Sequence, residues 1–298
     1  MAASIMSKKI LFIVNPISGG KEKSSLVDEI TSFCQNHDID FEVTYTQGKG
    51  HAAALAKETD AEVVVAVGGD GTINDVASAI INTDKTMGII PVGSGNGLAR
   101  HLGITKRNAL QNLCDGKVIN TDCGEMNGHV FCCTCGTGLD AQIGARFAKK
   151  NRRGFLSYVE SSIEAWNHFK PEAYEVEIDG EKIYVEATMI TIGNANQWGN
   201  NAFITPQASI LDGMLDIAVV SNLNLLEMSL FLDFLMTKRL HKSHFVQYYK
   251  GKQICITRRQ AEDVHYDGEP DMLGQKLDIK ILEGSLKLIV PVSKTNRL

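Results

Sequence analysis

Through the first 120 residues, short β-branched apolar runs alternate with stretches of helical spacing. KILFIVNP (9–16), FEVTYT (41–46), EVVVAV (62–67) and MGIIPV (87–92) read as strands. Residues 22–36, HAAALAKE (51–58), INDVASAII (73–81) and GLARHL from residue 97 read as helices. Repeated βα units imply a parallel sheet with helices on both faces. In such sheets ligands bind beyond the carboxyl ends of the strands. Three of these strands run into glycine-rich or polar turns, NPISGGK (15–21), GGDGT (68–72) and GSGNG (93–97), and the three turns are expected to converge on one crevice. Thr72 is placed to cap the helix after GGDGT, with Asp75 three residues on in capping-box spacing.

Beyond residue 120 the pattern changes. HVFCCTC (129–135) alternates like one strand, and helical stretches follow near 139–149 and 155–169. EVEIDGEKIYVE (175–186) reads as a hairpin turning at Asp179-Gly180. ATMITIG (187–193), LDIAVV (215–220), QICITR (253–258), KLDIKIL (276–282) and SLKLIVPV (285–292) read as further strands. Strand-dominated sequence of this kind predicts a second, mainly antiparallel β domain. No proline- or serine-rich linker and no short repeat marks a boundary. The expected division is therefore an α/β domain over residues 1–122, a β domain over 123–284, and a final segment, 285–298, returning to the first domain.

At 298 residues, 44% hydrophobic and 22% charged, the chain has the profile of a globular protein with a substantial core. A net charge of -5 argues against a general nucleic-acid binder. Seven cysteines, an odd number with several in apolar runs, suit a reduced cytosolic protein. Cys132, Cys133 and Cys135 lack a second ligand pair at zinc spacing and read as small packed hydrophobes. The leading MAASIMSKK has no apolar signal core, and LNLLEMSLFLDFLM (223–236) carries two carboxylates and is too short to span a bilayer. It reads as a packed or membrane-touching helix. The basic run KKNRRG (149–154) is either a solvated face or an attractor of anionic headgroups. The eight histidines, His51 and His101 among them, show no ligand-like spacing.

Glycine lets backbone N–H groups approach an anion closely, and a strand, a glycine turn and a helix N-terminus together make a phosphate site. GGDGT alone could also be a structural turn, but three such loops in one βα array favour phosphate binding. The Walker A pattern is absent, and so is a dinucleotide GxGxxG in the first βα turn. DGE (267–269) could be an ordinary hairpin turn or a placed carboxylate, and SILDGML (209–215) a turn or a cation site.

NPISGGK, GGDGTIND, PVGSGNGLAR, LDG (211–213) and DGE, in this order across nearly the whole chain, resemble the diacylglycerol kinase catalytic family, with sphingosine and ceramide kinases as relatives. GSGNG is closer to the sphingosine and ceramide kinase form than to the GTxND form. The resemblance implies an N-terminal α/β domain like that of phosphofructokinases and NAD kinases, a C-terminal β-sandwich, and ATP in the cleft between them. Carried over to this sequence, it assigns the nucleotide to Gly68, Gly69, Asp70, Gly71, Thr72, Ile73 and Asn74, with Thr46 and Ser94 as further contacts and Asn15 near the phosphates or supporting the loop. Asp70 would act at the phosphates through Mg²⁺, Glu269 would be the general base, and Asp267 would order the same network. Asp212, with the carbonyls of Ser209 and Met214, matches a structural Mg²⁺ or Ca²⁺ site.

The resemblance further implies a lipid substrate met at a membrane surface, peripheral contact at the inner face without a transmembrane segment, and no nucleic-acid partner. It leaves room for a homodimer. The expected activity is transfer of the ATP γ-phosphate to a hydroxyl of a diacylglycerol-like or sphingoid lipid. Two rivals share parts of the pattern. An NAD kinase would need a PTGSTAY-like loop, which is missing; a non-catalytic nucleotide or lipid binder would have no use for a base in DGE.

Overall fold

The structure, a computed structural model, describes residues 7–20, 23–149 and 169–294. Apart from residues 149 and 169, the basic run at 149–154 and the helical stretch near 155–169 lie outside the described residues. The chain forms two compact units: one from its start to Thr121 and again from Gly284 onward, the other from Asp122 to Glu283.

The first unit is the α/β array. Its strands are β1 (Ile10–Val14), β2 (Phe41–Tyr45), β3 (Val63–Gly68) and β4 (Thr86–Pro91), and its helices α1 (Ser24–Asn36), α2 (His51–Glu58), α3 (Asp70–Ile80), α4 (Gly97–His101) and α5 (Ala109–Asp115). The strands run parallel in the order β2-β1-β3-β4. β1, β3 and β4 are buried along their whole length, which is why their sequences are continuous apolar runs. The edge strand β2 is half-exposed and mixes Glu42 and Thr44 with its apolar residues. Helix faces follow the 3.6-residue period: Leu26, Ile30 and Cys34 are buried on α1, and Ile73, Val76, Ala77 and Ile80 on α3. The strand order reverses direction between β1 and β3, so the loops after these strands flank the switch point at which open α/β sheets bind ligands.

The second unit is a β-sandwich, entered through β5 (Lys117–Met126) and left through β16 (Lys276–Val290). β6 (His129–Phe131) pairs with β5. One antiparallel sheet joins β16 to β13 (Gln253–Thr257), β8 (Glu172–Ile178) and β9 (Glu181–Ala187). The other has the order β12 (Val246–Gly251), β11 (Leu215–Val220), β10 (Met189–Gly193), β7 (Thr134–Gly138), β14 (Glu262–Tyr266) and β15 (Glu269–Leu273). Ile190, Ile192, Ile217 and Val219 join Val176, Ile254, Ile256 and Leu277 in the core of the sandwich. The intervening residues Met189, Ala218 and Val220 face a second cluster containing Leu139 of α6 (Leu139–Lys149) and Phe231 and Leu235 of α7 (Leu225–Met236). β10 and β11 are covered on both faces, which accounts for their unbroken apolar runs.

Asp179 (φ 50°) and Gly180 (φ 91°) form the tight turn between β8 and β9 that the sequence predicts. HVFCCTC, however, is two strands, β6 and β7, because the chain bends at Cys132-Cys133, where its N–H groups turn to a side chain described below. The expected strands at 276–282 and 285–292 are one, β16, which runs on through Glu283-Gly284 and lies beside β4 in parallel register at Leu288–Met87.

Candidate active site

In the first unit the three glycine loops pack against one another. A Cβ on Gly69 would sit 3.2 Å from the Gly93 Cα and 3.3 Å from Ser18 Oγ, and one on Gly93 would sit 2.5 Å from the Gly69 Cα. Backbone meets backbone there, so Gly93 has no room for a side chain and Gly69 is crowded. Gly68 closes β3, and its carbonyl accepts the Val92 N–H at 2.9 Å.

α3 starts at Asp70 with Gly69 as its N-cap and no side-chain cap, a correction to the expected capping by Thr72. Thr72 is the third residue of the helix, and its Oγ1 instead accepts a hydrogen bond from Asn15 Nδ2 at 3.0 Å. The glycine turn is tighter than expected, so the helix begins three residues earlier and no capping box with Asp75 forms. Asn15 also accepts the Ile17 N–H at 3.2 Å, so it organises the loop after β1 and ties it to α3. A helix N-terminus without a side-chain cap, bordered by glycine loops at a sheet's switch point, suits a phosphate group.

The Asp70 carboxylate binds the third loop. Oδ2 accepts the Asn96 N–H at 2.8 Å and Oδ1 the Gly97 N–H at 2.6 Å, so Asp70 caps α4. Asn96, in left-handed conformation (φ 53°), closes the loop from its other side, accepting the Gly93 N–H at 3.1 Å and donating to the Gly93 carbonyl at 2.7 Å. Ser94 is exposed at the tip of that loop. Thr46, buried at the end of β2, donates its N–H to the Val14 carbonyl at 2.9 Å. Ile73 is buried and its N–H goes to the Gly69 carbonyl at 3.0 Å, Gly71 lies in the first turn of α3, and Asn74 accepts from the Ser78 hydroxyl at 3.3 Å.

In the second unit DGE forms the hairpin between β14 and β15. Asp267 (φ 49°) and Gly268 (φ 82°) make the turn, and Glu269 begins β15 opposite Tyr266. Pro270 holds Glu269 in extended geometry, and the Glu269 side chain is half-buried. Asp267 reaches away from the turn: Oδ2 accepts the Cys132 N–H at 2.7 Å, and Oδ1 accepts those of Cys133 at 2.7 Å and Thr134 at 3.0 Å. Its own N–H donates to the Thr134 carbonyl at 2.8 Å. This carboxylate is what bends the chain at Cys132-Cys133 and fixes the hairpin to the end of β7.

The hairpin has two further anchors, neither visible in the sequence. Arg258, only 3% exposed, donates to Thr137 Oγ1 at 2.7 Å and to the Leu273 and Gly274 carbonyls. His265 Nε2 lies 3.1 Å from Asp140 Oδ2, which also accepts the Thr191 hydroxyl at 2.8 Å, and all three side chains are buried. Tyr266, across from Glu269, donates to Asp271 at 2.8 Å and stacks on His129. Burial first, then that hydrogen bond to Asp271, pushes the Tyr266 phenol well above its usual range, so it stays protonated.

Asp212 Oδ1 accepts the Met214 N–H at 3.1 Å, and Oδ2 lies 3.0 Å from Lys250 Nζ. Ser209 Oγ accepts the Leu211 N–H at 3.3 Å. The SILDGML segment is thus an Asx turn whose carboxylate is neutralised by an ammonium, and a cation there would have to displace Lys250. Asp122 holds the same segment from below, accepting the Gly213 N–H at 2.8 Å. Among the described residues no three His, Cys, Asp or Glu side chains converge as a metal-binding group.

An α/β unit with three fused glycine loops, followed by a β-sandwich carrying a clamped Asp-Gly-Glu hairpin, defines a class of phosphotransferase folds. The chain belongs within it to the diacylglycerol kinase family of lipid kinases: residues 9–126 match the diacylglycerol kinase catalytic domain, and residues 133–290 the YegS C-terminal NAD kinase β-sandwich-like domain. It is 28% identical over 273 residues to a diacylglycerol kinase of Bacillus subtilis, covering 88% of this chain and 90% of that one. It is 32% identical over 295 residues to a probable lipid kinase YegS-like protein of Enterobacter sp., covering 94% and 95%. The crystal structure of a putative diacylglycerol kinase from Bacillus anthracis superposes with a TM-score of 0.80 at 25% identity, covering 97% of this chain and 99% of that one.

Proposed function

We propose that the protein transfers the γ-phosphate of ATP to a hydroxyl of a diacylglycerol-like or sphingoid lipid. The glycine loops and the N-terminus of α3 would hold the nucleotide's phosphates. Asn15 and Asp70 keep these loops in shape, one tied to Thr72 and the other to the N-terminus of α4. Mg²⁺ would arrive with the nucleotide, bound mainly by its phosphates, and neutralise their charge. Glu269 takes the proton of the acceptor hydroxyl as its oxygen attacks the γ-phosphorus, and ADP leaves. Asp267 acts through Glu269, as a positioning residue.

The observation that carries this reading is the clamping of the hairpin. Three backbone N–H groups on Asp267 and the Pro270 ring together fix the backbone of a half-buried glutamate. A hairpin serving only as a turn has no need of such restraint. The match of residues 9–126 to the diacylglycerol kinase catalytic domain favours a lipid acceptor over NAD. Labelled phosphate transfer from ATP to diacylglycerol, phosphatidylglycerol, sphingosine, ceramide and undecaprenol in mixed micelles, with NAD beside them, tests the reading. Glu269→Gln should bind nucleotide normally and lose about 10²-fold or more in turnover. Near-normal turnover in that variant would remove Glu269 as the base.

A further inference from the structure

α7 has the sequence LLEMSLFLDFLM, with nine apolar residues of twelve, more than one buried stripe can use. Phe231 and Leu235 are buried against the outer face of the six-stranded sheet, with Phe234 packed beside them. Leu226 (74% exposed), Leu230 (46%), Leu232 (39%) and Met236 (42%) point outward. At 100° per residue they share one arc of about 160° with Ser229 and Asp233. Both polar members of that arc are already satisfied: the Ser229 hydroxyl donates to the Leu226 carbonyl at 2.7 Å, and Asp233 is paired with Arg239 at 2.7 Å. The face therefore presents apolar surface with little uncompensated polarity.

Glu227 and Asp233 on the helix lie beside His244 and Arg239, and the charge that follows the helix is of one sign. No aspartate or glutamate occurs between Phe234 and Ala261, in a chain whose net charge is -5. Directly after the helix, Lys238, His241 and Lys242 are exposed, next to Arg239 and His244, which lie 2.7 Å from Asp233 and 3.9 Å from Glu227. An exposed apolar helix face bordered by basic side chains matches the headgroup region of an anionic bilayer, which takes up the apolar side chains and attracts the cations. A second copy of this chain would bring like charges together.

We propose that α7 docks the protein on anionic membranes, with Leu226, Leu230, Leu232 and Met236 entering the headgroup boundary and Lys238 and Lys242 meeting lipid phosphates. This deepens the lipid-kinase reading and rests on it only for its purpose, since docking can be measured without turnover. The full chain is sedimented with vesicles of 30% phosphatidylglycerol in phosphatidylcholine, and with pure phosphatidylcholine, at low and 0.5 M salt. Binding should require phosphatidylglycerol and fall with salt. Leu226→Glu with Leu230→Glu, and separately Lys238→Gln with Lys242→Gln, should each weaken it about tenfold or more, with unchanged thermal melting. Wild-type protein that ignores the vesicles, or variants that bind as tightly as wild type, would overturn the proposal. So would a dimer that the glutamate pair dissociates while vesicle binding persists. Turnover on monomeric dioctanoylglycerol separates the two readings. A chain that docks but phosphorylates no lipid keeps the surface and loses the kinase, whereas a chain active on the soluble acceptor with indifferent α7 variants does the reverse.

Discussion

Removing the Asp267 carboxylate should loosen the second unit before it affects the chemistry. Three backbone N–H groups, of Cys132, Cys133 and Thr134, end on this one side chain at 2.7–3.0 Å. Hydrogen bonds to a charged acceptor contribute about 1.5–3 kcal/mol each. Asp267 is half-exposed, so water can replace part of that, and the lower end applies. Asp267→Ala loses all three bonds, about 4.5 kcal/mol at that lower end, and places alanine in the left-handed region at a further cost of about 1 kcal/mol, for a total of about 5–6 kcal/mol. Asp267→Asn keeps an oxygen acceptor and the left-handed preference but turns an amide NH₂ toward one N–H, and should cost about 1–2 kcal/mol. The chain's two tryptophans, Trp166 and Trp198, both belong to the segment 122–283, so tryptophan fluorescence in a urea titration follows that unit selectively. Both variants should shift its midpoint downward in that order, and turnover without urea should fall less than in Glu269→Gln. If Asp267→Ala unfolds at the wild-type urea concentration yet loses more turnover than Glu269→Gln, Asp267 belongs to the chemistry and the clamp argument is wrong.

Three further outcomes follow from the geometry. Gly93→Ala drives a Cβ to 2.5 Å from the Gly69 Cα, which has no side chain to yield, so stabilisation against heat by ATP should largely vanish; an undiminished shift would show that the fused loops do not hold the nucleotide. Asp70→Asn should raise KM for ATP about tenfold by loosening the loop at Asn96 and Gly97, without moving the midpoint of a Mg²⁺ titration; a moved midpoint would give the carboxylate a direct part in metal binding. Burial raises the Asp216 carboxyl to about 6 although Lys250 beside it pulls the other way, so its contribution to stability is complete below about pH 4 and is lost as pH rises through 6, by at most about 3 kcal/mol. Asp216→Asn should flatten that decline in melting temperature, and parallel wild-type and variant profiles would refute the assignment.

The parts of this fold that could be read in the sequence are those where a single periodicity decides the outcome. β1, β3 and β4 are buried on both faces and announce themselves as apolar runs, and α2 occupies the expected residues 51–58 with Ala52 and Ala56, four apart, on its buried face. β5, β12, β14 and β15 escaped notice because burial alternates irregularly along them and polar residues such as Asp122 and His265 have partners far away in sequence. The break between β6 and β7 was hidden for the same reason, since the acceptor of its N–H groups is 133–135 residues away. The glycine loops of the candidate site were legible because glycine marks a local need for close approach. The Asp140–His265–Thr191 network was not, since Asp140, Thr191 and His265 meet only when β10 and β14 flank β7.

Asp70 and Asp267 share one use, and it bears on how phosphoryl transfer would be achieved here. Both lie in Asp-Gly pairs that resemble catalytic motifs, and in both the carboxylate gathers successive backbone N–H groups from a distant loop: Asn96 and Gly97 for the one, Cys132 to Thr134 for the other. A carboxylate gives stronger hydrogen bonds than a neutral acceptor and fixes the direction of the N–H groups that it binds. Phosphoryl transfer asks little covalent chemistry of a protein and much accuracy of placement, because the nucleophile, phosphorus and leaving oxygen must come into line. On this view the two aspartates are selected for rigidity, and Glu269 supplies the proton acceptor. It follows that each aspartate should be replaceable, at a loss of affinity or stability, by the amide that keeps one acceptor, whereas Glu269 should not be.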